Sequence, residues 1–229
     1  MTELKVSQWE ASYLRKENFI FYPKEEVVKF LNRFVRKRAG YSEFIDILKS
    51  KEKLKGLDFG CGIGRQTLLL NEFEIDAWGI DISENAIKTA EQLALNSLSH
   101  KNCKSVFIRL EDSVLPFDND FFDIAISDSV LDSMYFDIAV IVLKELDRTV
   151  KQLLYISLIG ADSNKNGSST EKIVDTKHEA GTIQSYFDLP KIKMLIANTN
   201  WKIKWYNLIK EEVPQTGFYN SRYHIVLTK

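Results

Sequence analysis

The chain has 229 residues, 45% of them hydrophobic and 28% charged, which is enough for one domain with a substantial core. Its net charge of -1 argues against a nucleic-acid partner, because such binding usually needs a basic face. The sequence shows no signal peptide and no apolar run near the ~20 residues that span a bilayer, so we expect a cytoplasmic protein with no membrane partner.

The first 50 residues are predicted to form a helical cap. Pro23 is typical of the first turn of a helix, and apolar residues then recur at helical spacing from Val27 to Val35. The basic residues Arg36–Arg38 fall at the predicted end of this helix, where cations suit its dipole. A second short helix is expected over 43–48.

Strands and helices alternate through residues 51–160. The strands are near-continuous apolar runs, which is typical of a parallel sheet covered on both faces. The predicted strands are 54–59, 76–81, 104–110, 122–127 and 151–159, and the predicted helices are 64–72, 83–97 and 134–148.

The first predicted strand runs into a glycine-rich turn, Asp58-Phe59-Gly60-Cys61-Gly62-Ile63-Gly64. Glycines at every second position let the backbone approach a ligand closely, because they carry no Cβ. The second strand ends at Asp81-Ile82, and a carboxylate there can accept both hydroxyls of a ribose. The alternative for Asp81 is an ordinary turn residue. Together the two strand ends predict a site for a nucleoside-containing cofactor.

The position of Asp58 indicates which cofactor to expect. The glycine spacing differs from the Gly-x-Gly-x-x-Gly of dinucleotide sites, and a carboxylate beside a pyrophosphate would be repelled. Asp58 suits a ligand with a positive amino group, such as S-adenosylmethionine, which has no phosphate. The alternative is that Asp58 only caps the following helix.

A third block, Glu111-Asp112-Ser113-Val114-Leu115-Pro116-Phe117, completes a resemblance to the class I S-adenosylmethionine-dependent methyltransferases. The resemblance implies a Rossmann-like, seven-stranded, mostly parallel sheet with helices on both faces and a C-terminal antiparallel hairpin. It implies S-adenosylmethionine as the cofactor. The cofactor contacts that it implies around the first two strand ends are Asp58, Gly60, Cys61, Gly62, Gly64, Asp81 and Ile82.

The other cofactor contacts are less sharply defined. Family spacing favours Glu111 as the adenine contact, whereas residue type favours Asp112, and Ser113 beside them is a candidate backbone donor. Ser127 and Asp128 follow the fourth strand and are placed to contact the methionine part. Tyr13 is expected to close over the cofactor and to bond its carboxylate. Packing of an amphipathic helix is the alternative for the N-terminal aromatic residues.

Two residues are candidates for catalysis. Asp132 either faces the substrate or caps the helix that begins near it. His178 lies in the polar connection after the fifth strand and is either a proton acceptor or a solvated loop residue. Many family members carry a histidine near Asp132, and this chain does not. Cys61, Cys103 and the histidines have no metal-ligand spacing, so no metal site is predicted.

These features predict one methyltransferase domain over residues 1–229, a monomer or homodimer. Its expected parts are the cap (1–50), the cofactor-binding core (51–160), a polar connection or lid (161–187), and a C-terminal helix and strand pair (188–229). The last part is read as a helix over 189–197 and strands at 201–209 and 223–227 joined by a wide loop.

The expected reaction is methyl transfer to an oxygen or nitrogen of a small molecule, such as a sugar or a nucleotide-linked sugar. One alternative is a nicotinamide-dependent oxidoreductase, which the glycine spacing, Asp58 and the lack of a Tyr-x-x-x-Lys pair disfavour. The other alternative is a non-catalytic protein that binds S-adenosylmethionine.

Overall fold

The computed structural model describes residues 3–97, 103–111, 114–163, 167–175, 179–215 and 217–229. The helices are α1 (Glu3–Leu14), α2 (Glu25–Phe30), α3 (Arg65–Glu72), α4 (Glu84–Asn96), α5 (Phe136–Thr149) and α6 (Leu189–Ile196). The strands are β1 (Arg36–Arg38), β2 (Phe44–Asp46), β3 (Lys55–Phe59), β4 (Asp76–Asp81), β5 (Ser105–Arg109), β6 (Phe122–Asp128), β7 (Val150–Ile159), β8 (Glu171–Ile173), β9 (Ile183–Ser185), β10 (Lys202–Val213) and β11 (Phe218–Thr228).

Seven strands form one sheet in the order β10-β11-β7-β6-β3-β4-β5. Strands β7, β6, β3, β4 and β5 are parallel, whereas β11 runs antiparallel to both β7 and β10. The predicted Rossmann-like fold is therefore confirmed, including its C-terminal hairpin. The chain passes outward from β3 to β5 and then returns to β6, so the strand order reverses between β3 and β6. Ligands of open α/β sheets bind at such a reversal.

Two apolar layers cover the sheet. Leu143 of α5 and Ile192 of α6 belong to one buried cluster, and Phe30 of α2 and Leu70 of α3 belong to the other. Within the part of the chain that the structure describes, no helix is long and apolar enough to cross a bilayer.

The second helix predicted in the N-terminal cap, over 43–48, is wrong. Strand β2 occupies this segment and pairs with β1 in a short hairpin, and a π-helix, Leu31–Val35, separates α2 from β1. Short apolar runs do not distinguish a helix from a strand, and the turn at 39–43 brings the two segments together. The basic run therefore lies on a strand, where Arg36 pairs with Asp46 and Glu74.

The wide loop predicted between the last two strands is also wrong. Strands β10 and β11 are 12 and 11 residues long, and their register extends to Val213 opposite Phe218. The outer part of this hairpin continues past the pairing of Arg222 with Ile159 of β7. Because that part leaves the layered sheet, its sequence lacks the apolar pattern that marks buried strands.

The connection 161–187 carries more regular structure than its polar composition indicates. Strands β8 and β9 pair antiparallel within it. The Nζ of Lys191, on α6, donates to Ser169 O at 2.9 Å and to Tyr186 O at 3.0 Å, which ties the connection to the body of the domain.

Candidate active site

A cavity of about 860 Å³ lies at the carboxyl ends of the parallel strands. Phe59 of β3, Asp81 of β4, Asp128 of β6 and Ile159 of β7 all line it. Helix α1 contributes Trp9 and Tyr13, and β9 contributes Gln184. The cavity therefore occupies the point where the strand order reverses, and both the N-terminal cap and the 161–187 connection contribute to its walls.

The glycine turn after β3 brings its backbone against this cavity. Gly60 and Gly62 have φ values of +73° and +54°, which favour glycine. A Cβ on Gly60 would lie 2.4 Å from a methyl carbon of Val130, and one on Gly62 would lie 2.6 Å from the Tyr13 hydroxyl. Side chains at either position would therefore displace the cavity wall.

Asp81 joins the glycine turn to the start of α4. Its Oδ2 accepts a hydrogen bond from Gly62 N at 2.9 Å, and its Oδ1 accepts one from Ser83 N at 2.9 Å. Burial raises the pKa of Asp81, and these amide donors counteract the rise. Each carboxylate oxygen can accept a further bond, so the side chain can hold two ligand hydroxyls without losing its backbone contacts.

Asp58 is buried at the end of β3. Its Oδ2 accepts a hydrogen bond from the Thr67 hydroxyl at 2.7 Å. Burial raises its pKa to about 7, and the nearby negative charge of Asp128 adds to the rise. A positive ligand group beside Asp58 would favour the ionised carboxylate.

Asp128, at the end of β6, has donors on both oxygens. Oδ1 accepts from Ser157 Oγ at 2.6 Å and from Lys24 Nζ at 3.1 Å. Oδ2 accepts from Gln66 Nε2 at 3.1 Å and lies 3.6 Å from Nη2 of Arg65. Burial opposes ionisation, but Lys24 and Ser157 outweigh it, so the pKa of Asp128 lies below its usual value.

Asp132 lies four residues after Asp128, in a short 3-10 helix (Leu131–Ser133), and is fully buried. Its Oδ2 accepts from Ile159 N at 2.9 Å and from Nη1 of Arg222 at 2.7 Å. Its Oδ1 is buried and has no hydrogen-bond partner among the residues that the structure describes. The first amide of helix α5, Phe136 N, donates to Glu171 Oε1 at 2.6 Å, and Tyr135 is the N-cap residue, so Asp132 does not serve as the helix cap.

Hydrogen bonds to Glu10 and Glu17 hold helix α1 and the segment after it against the cavity. The Glu10 carboxylate accepts hydrogen bonds from Ser83 Oγ at 3.1 Å and from the amide of Glu84, at the start of α4. Beyond the helix, Glu17 accepts from Glu179 N at 3.2 Å. Tyr13 points into the enclosed space, and burial raises the pKa of its hydroxyl well above 10, so this group is a neutral donor.

The structure brings most of the predicted site residues together. The predicted residues that line the cavity are Tyr13, Asp58, Gly60, Cys61, Gly62, Asp81, Ile82, Asp128 and Asp132. Gly64, Glu111 and Ser127 are not among the described residues that line it: Glu111 is exposed, and Ser127 is buried. Asp112, Ser113 and His178 lie outside the described residues.

Several lining residues escaped the sequence analysis, among them Lys24, Gln66 and Arg222. Lys24 carries no motif of its own. The sequence did carry a signal for Arg222: an antiparallel last strand begins at the edge where the parallel strands end, so the residue just before the predicted strand 223–227 lies at that edge.

The glycine turn after β3, the buried acid after β4 and the reversal of strand order define a Rossmann-like enzyme that binds a nucleoside-containing cofactor. A sequence model described as a methyltransferase domain matches residues 50–212, and the chain belongs to this family, the class I S-adenosylmethionine-dependent methyltransferases. The protein is thus a methyltransferase with S-adenosylmethionine as its cofactor, and not a nicotinamide-dependent oxidoreductase. No curated protein sequence matches the chain.

Solved structures support the fold. An S-adenosylmethionine-dependent methyltransferase from Methanosarcina mazei is 23% identical, with a TM-score of 0.65 over 79% of this chain and 94% of that one. The 1,6-didemethyltoxoflavin-N1-methyltransferase of Burkholderia thailandensis is 14% identical, with a TM-score of 0.68 over 99% and 87%. Magnesium protoporphyrin IX methyltransferase from Synechocystis PCC 6803, with bound S-adenosylmethionine, is 19% identical, with a TM-score of 0.57 over 77% and 70%.

Proposed function

We propose that the enzyme methylates an oxygen or nitrogen atom of a small molecule. The observation behind this proposal is a single cavity with two polar regions. One region, at the ends of β3 and β4, suits the cofactor, and the other lies at β6, β7 and β11. Its volume of about 860 Å³ lies in the upper part of the ~300–1,000 Å³ typical of small-molecule sites. Two solved methyltransferases of similar fold are named after small molecules, a porphyrin and a toxoflavin precursor.

The residues at β3 and β4 fit the cofactor. We assign Asp81 to the ribose hydroxyls, the backbone of Gly60 and Gly62 to close contact with the ligand, and Ile82 to the adenine face. Asp58 is assigned to the ammonium group. Burial raises the pKa of Asp58 to about 7, and a cationic ligand group beside it would stabilise the ionised carboxylate. The acid near the adenine remains either Glu111 or Asp112.

The carboxylate of the cofactor is assigned to the cationic side chains beyond Asp58. Lys24 Nζ donates to Asp128 at 3.1 Å and to Ser129 Oγ at 2.7 Å, which leaves one of its three protons for a ligand. Arg65 lies at the first turn of α3, whose dipole also favours an anion. The Tyr13 hydroxyl is a third donor on the opposite wall.

Replacing Lys24 by methionine is expected to weaken binding of S-adenosylhomocysteine at least fivefold, since the ligand carboxylate loses a charged donor. Binding of 5′-methylthioadenosine, which lacks the amino-acid end, should change less than twofold. Calorimetry with both ligands measures the difference. Lys88→Met provides a matched control, because Lys88 pairs with Glu84 on the exposed face of α4 and does not line the cavity. Equal losses for the two ligands would contradict the assignment.

Cofactor affinity is expected to fall with acidification between pH 7 and pH 5. The pKa of Asp58 is raised to about 7, so below that pH the free enzyme holds a proton that the ammonium group must displace. The dissociation constant of S-adenosylhomocysteine should therefore rise by up to about tenfold per pH unit. Calorimetric titrations across this range test the slope, and Asp58→Asn should flatten it. An unchanged slope in that variant would remove Asp58 from the ammonium site.

At the far end of the cavity, we assign Asp132 as the proton acceptor. When bound, S-adenosylmethionine supplies a methyl group activated by positive sulfur, so the protein must mainly orient the acceptor and exclude water. Arg222 and Ile159 N hold one oxygen of Asp132, and the other lacks a partner within the described part of the chain. His178 stays a second candidate for this role.

The decisive experiment for the proposed function uses a labelled methyl donor. The enzyme is incubated with the donor and a metabolite mixture, and mass spectrometry identifies species that gain a labelled methyl group. We expect a methylated small molecule to accumulate with wild-type enzyme and not with Asp81→Ala. Transfer of label only to protein or RNA added in a parallel sample would overturn the proposal.

A further inference from the structure

We infer that the acceptor is an uncharged, largely apolar molecule whose methylated hydroxyl or N–H group donates a hydrogen bond to Asp132 Oδ1. This inference rests on the proposed function and deepens it. It separates such acceptors from phosphorylated ones, including nucleotide-linked sugars.

The charges of the cavity disfavour an anionic acceptor. The lining residues that the structure describes include seven carboxylates and three cationic side chains. Each cation already faces a carboxylate: Lys24 lies 3.1 Å and Arg65 3.6 Å from Asp128, and Arg222 lies 2.7 Å from Asp132. Lys24 and Arg65 are in addition assigned to the carboxylate of the cofactor. With the cofactor bound, a phosphate or diphosphate would therefore enter an acidic cavity whose described cations are already engaged, and its desolvation would not be compensated.

The two carboxylates after β6 differ in a way that points to a ligand donor. Asp128 has hydrogen-bond donors on both oxygens, whereas Asp132 has both of its donors on Oδ2. A buried acceptor atom without a partner is rare and costly. A hydroxyl or N–H group of the acceptor would satisfy Oδ1, and Arg222 would keep the carboxylate from turning away.

Apolar side chains line the same cavity as Asp132. Ile20, Met134 and Ile159 line the cavity, and Ile20 belongs to the unbroken run of large apolar residues 19–22. In that run Phe21 is 53% exposed and Tyr22 is 81% exposed. Exposed apolar surface that continues from a cavity commonly marks a ligand site. The parts of the acceptor that lie away from its reacting atom are therefore expected to be apolar.

Methyl transfer requires the acceptor atom to lose its proton, and Asp132 Oδ1 is placed to receive it. The acceptor oxygen or nitrogen forms a bond to the methyl carbon as the carbon–sulfur bond breaks, and the electron pair of that bond stays on sulfur. The acceptor atom would otherwise keep a positive charge, so its proton passes to Asp132 Oδ1 and then to solvent. A carboxylate held in place by Arg222 and Ile159 N, with its second oxygen open to the acceptor, can take up this proton.

Matched naphthalene probes test the inference on the enzyme saturated with S-adenosylhomocysteine. Calorimetry compares 2-naphthol, an uncharged donor, with 2-naphthyl phosphate, which shares the ring system and carries the anion. We expect 2-naphthol to bind at least tenfold more tightly and to be methylated when labelled S-adenosylmethionine replaces S-adenosylhomocysteine. Asp132→Asn should abolish that methylation, whereas Asp118→Asn, which changes an exposed carboxylate that does not line the cavity, should retain it.

The outcomes separate this inference from the proposed function. Tighter binding of 2-naphthyl phosphate, no binding of 2-naphthol up to its solubility limit, or full methylation by Asp132→Asn would each overturn the inference and leave methyl transfer standing. Should S-adenosylhomocysteine itself not bind at millimolar concentration, the proposed function fails instead. Circular dichroism of Asp132→Asn, together with its affinity for S-adenosylhomocysteine, shows whether the variant keeps its fold.

Discussion

Replacing Asp81 by alanine is expected to weaken S-adenosylmethionine binding by about 2 kcal/mol or more, which is roughly a 30-fold loss of affinity. The two ribose hydroxyls lose their charged acceptor. The amides of Gly62 and Ser83 also lose theirs, since Asp81 binds each at 2.9 Å. The glycine turn and the start of α4 are then no longer joined, so the cavity wall loosens where the cofactor binds. Isothermal titration calorimetry with S-adenosylmethionine and S-adenosylhomocysteine measures the effect.

The matched control for Asp81→Ala lies at the other end of the same strand. Asp76 begins β4, accepts a hydrogen bond from Lys104 N at 2.9 Å and pairs with Lys53, far from the cavity. Asp76→Ala should lower stability slightly and leave cofactor affinity unchanged. Retained affinity in Asp81→Ala, with an intact fold, would show that the ribose does not bind at the end of β4.

The parts of the site that could be predicted from sequence are local in the chain. The glycine turn and Asp81 each follow a buried strand directly, and parallel strands place their carboxyl ends at one edge. Residues that no motif connects still meet there once the strand order is known. This is why Asp58, Gly62 and Asp81 were expected near one another and line one cavity.

The parts that could not be predicted depend on long-range packing. Lys24 meets Asp128 across 104 residues, and Arg222 meets Asp132 across 90. Hydrophobic periodicity carries no information about such polar pairs, because it reports which face of an element is buried and not which neighbour it meets. The β1–β2 hairpin was missed for a related reason, since its short apolar segments fit either kind of element.

The contribution of His224 to the unfolding free energy of the protein is expected to fall on acidification. This side chain is 4% exposed, and its Nδ1 lies 2.7 Å from the Tyr155 hydroxyl in the core. Burial lowers the pKa of His224 from 6.5 to about 4, so the folded protein resists a proton that the unfolded chain accepts. Its contribution to stability is therefore complete above pH 6.5 and is lost as the pH falls toward 4, by roughly 3 kcal/mol in total.

Urea denaturation at pH 7.5 and pH 5 measures this loss, and His224→Gln isolates it, because glutamine can still bond Tyr155 but does not titrate. We expect wild type to lose about 2 kcal/mol more than the variant between these two pH values. The comparison with the variant is needed because Asp58 acts in the opposite direction. Its raised pKa gives a contribution that is complete below pH 3.8 and is lost as the pH rises to about 7. Equal losses in the two proteins would mean that His224 takes up its proton without unfolding the core around Tyr155.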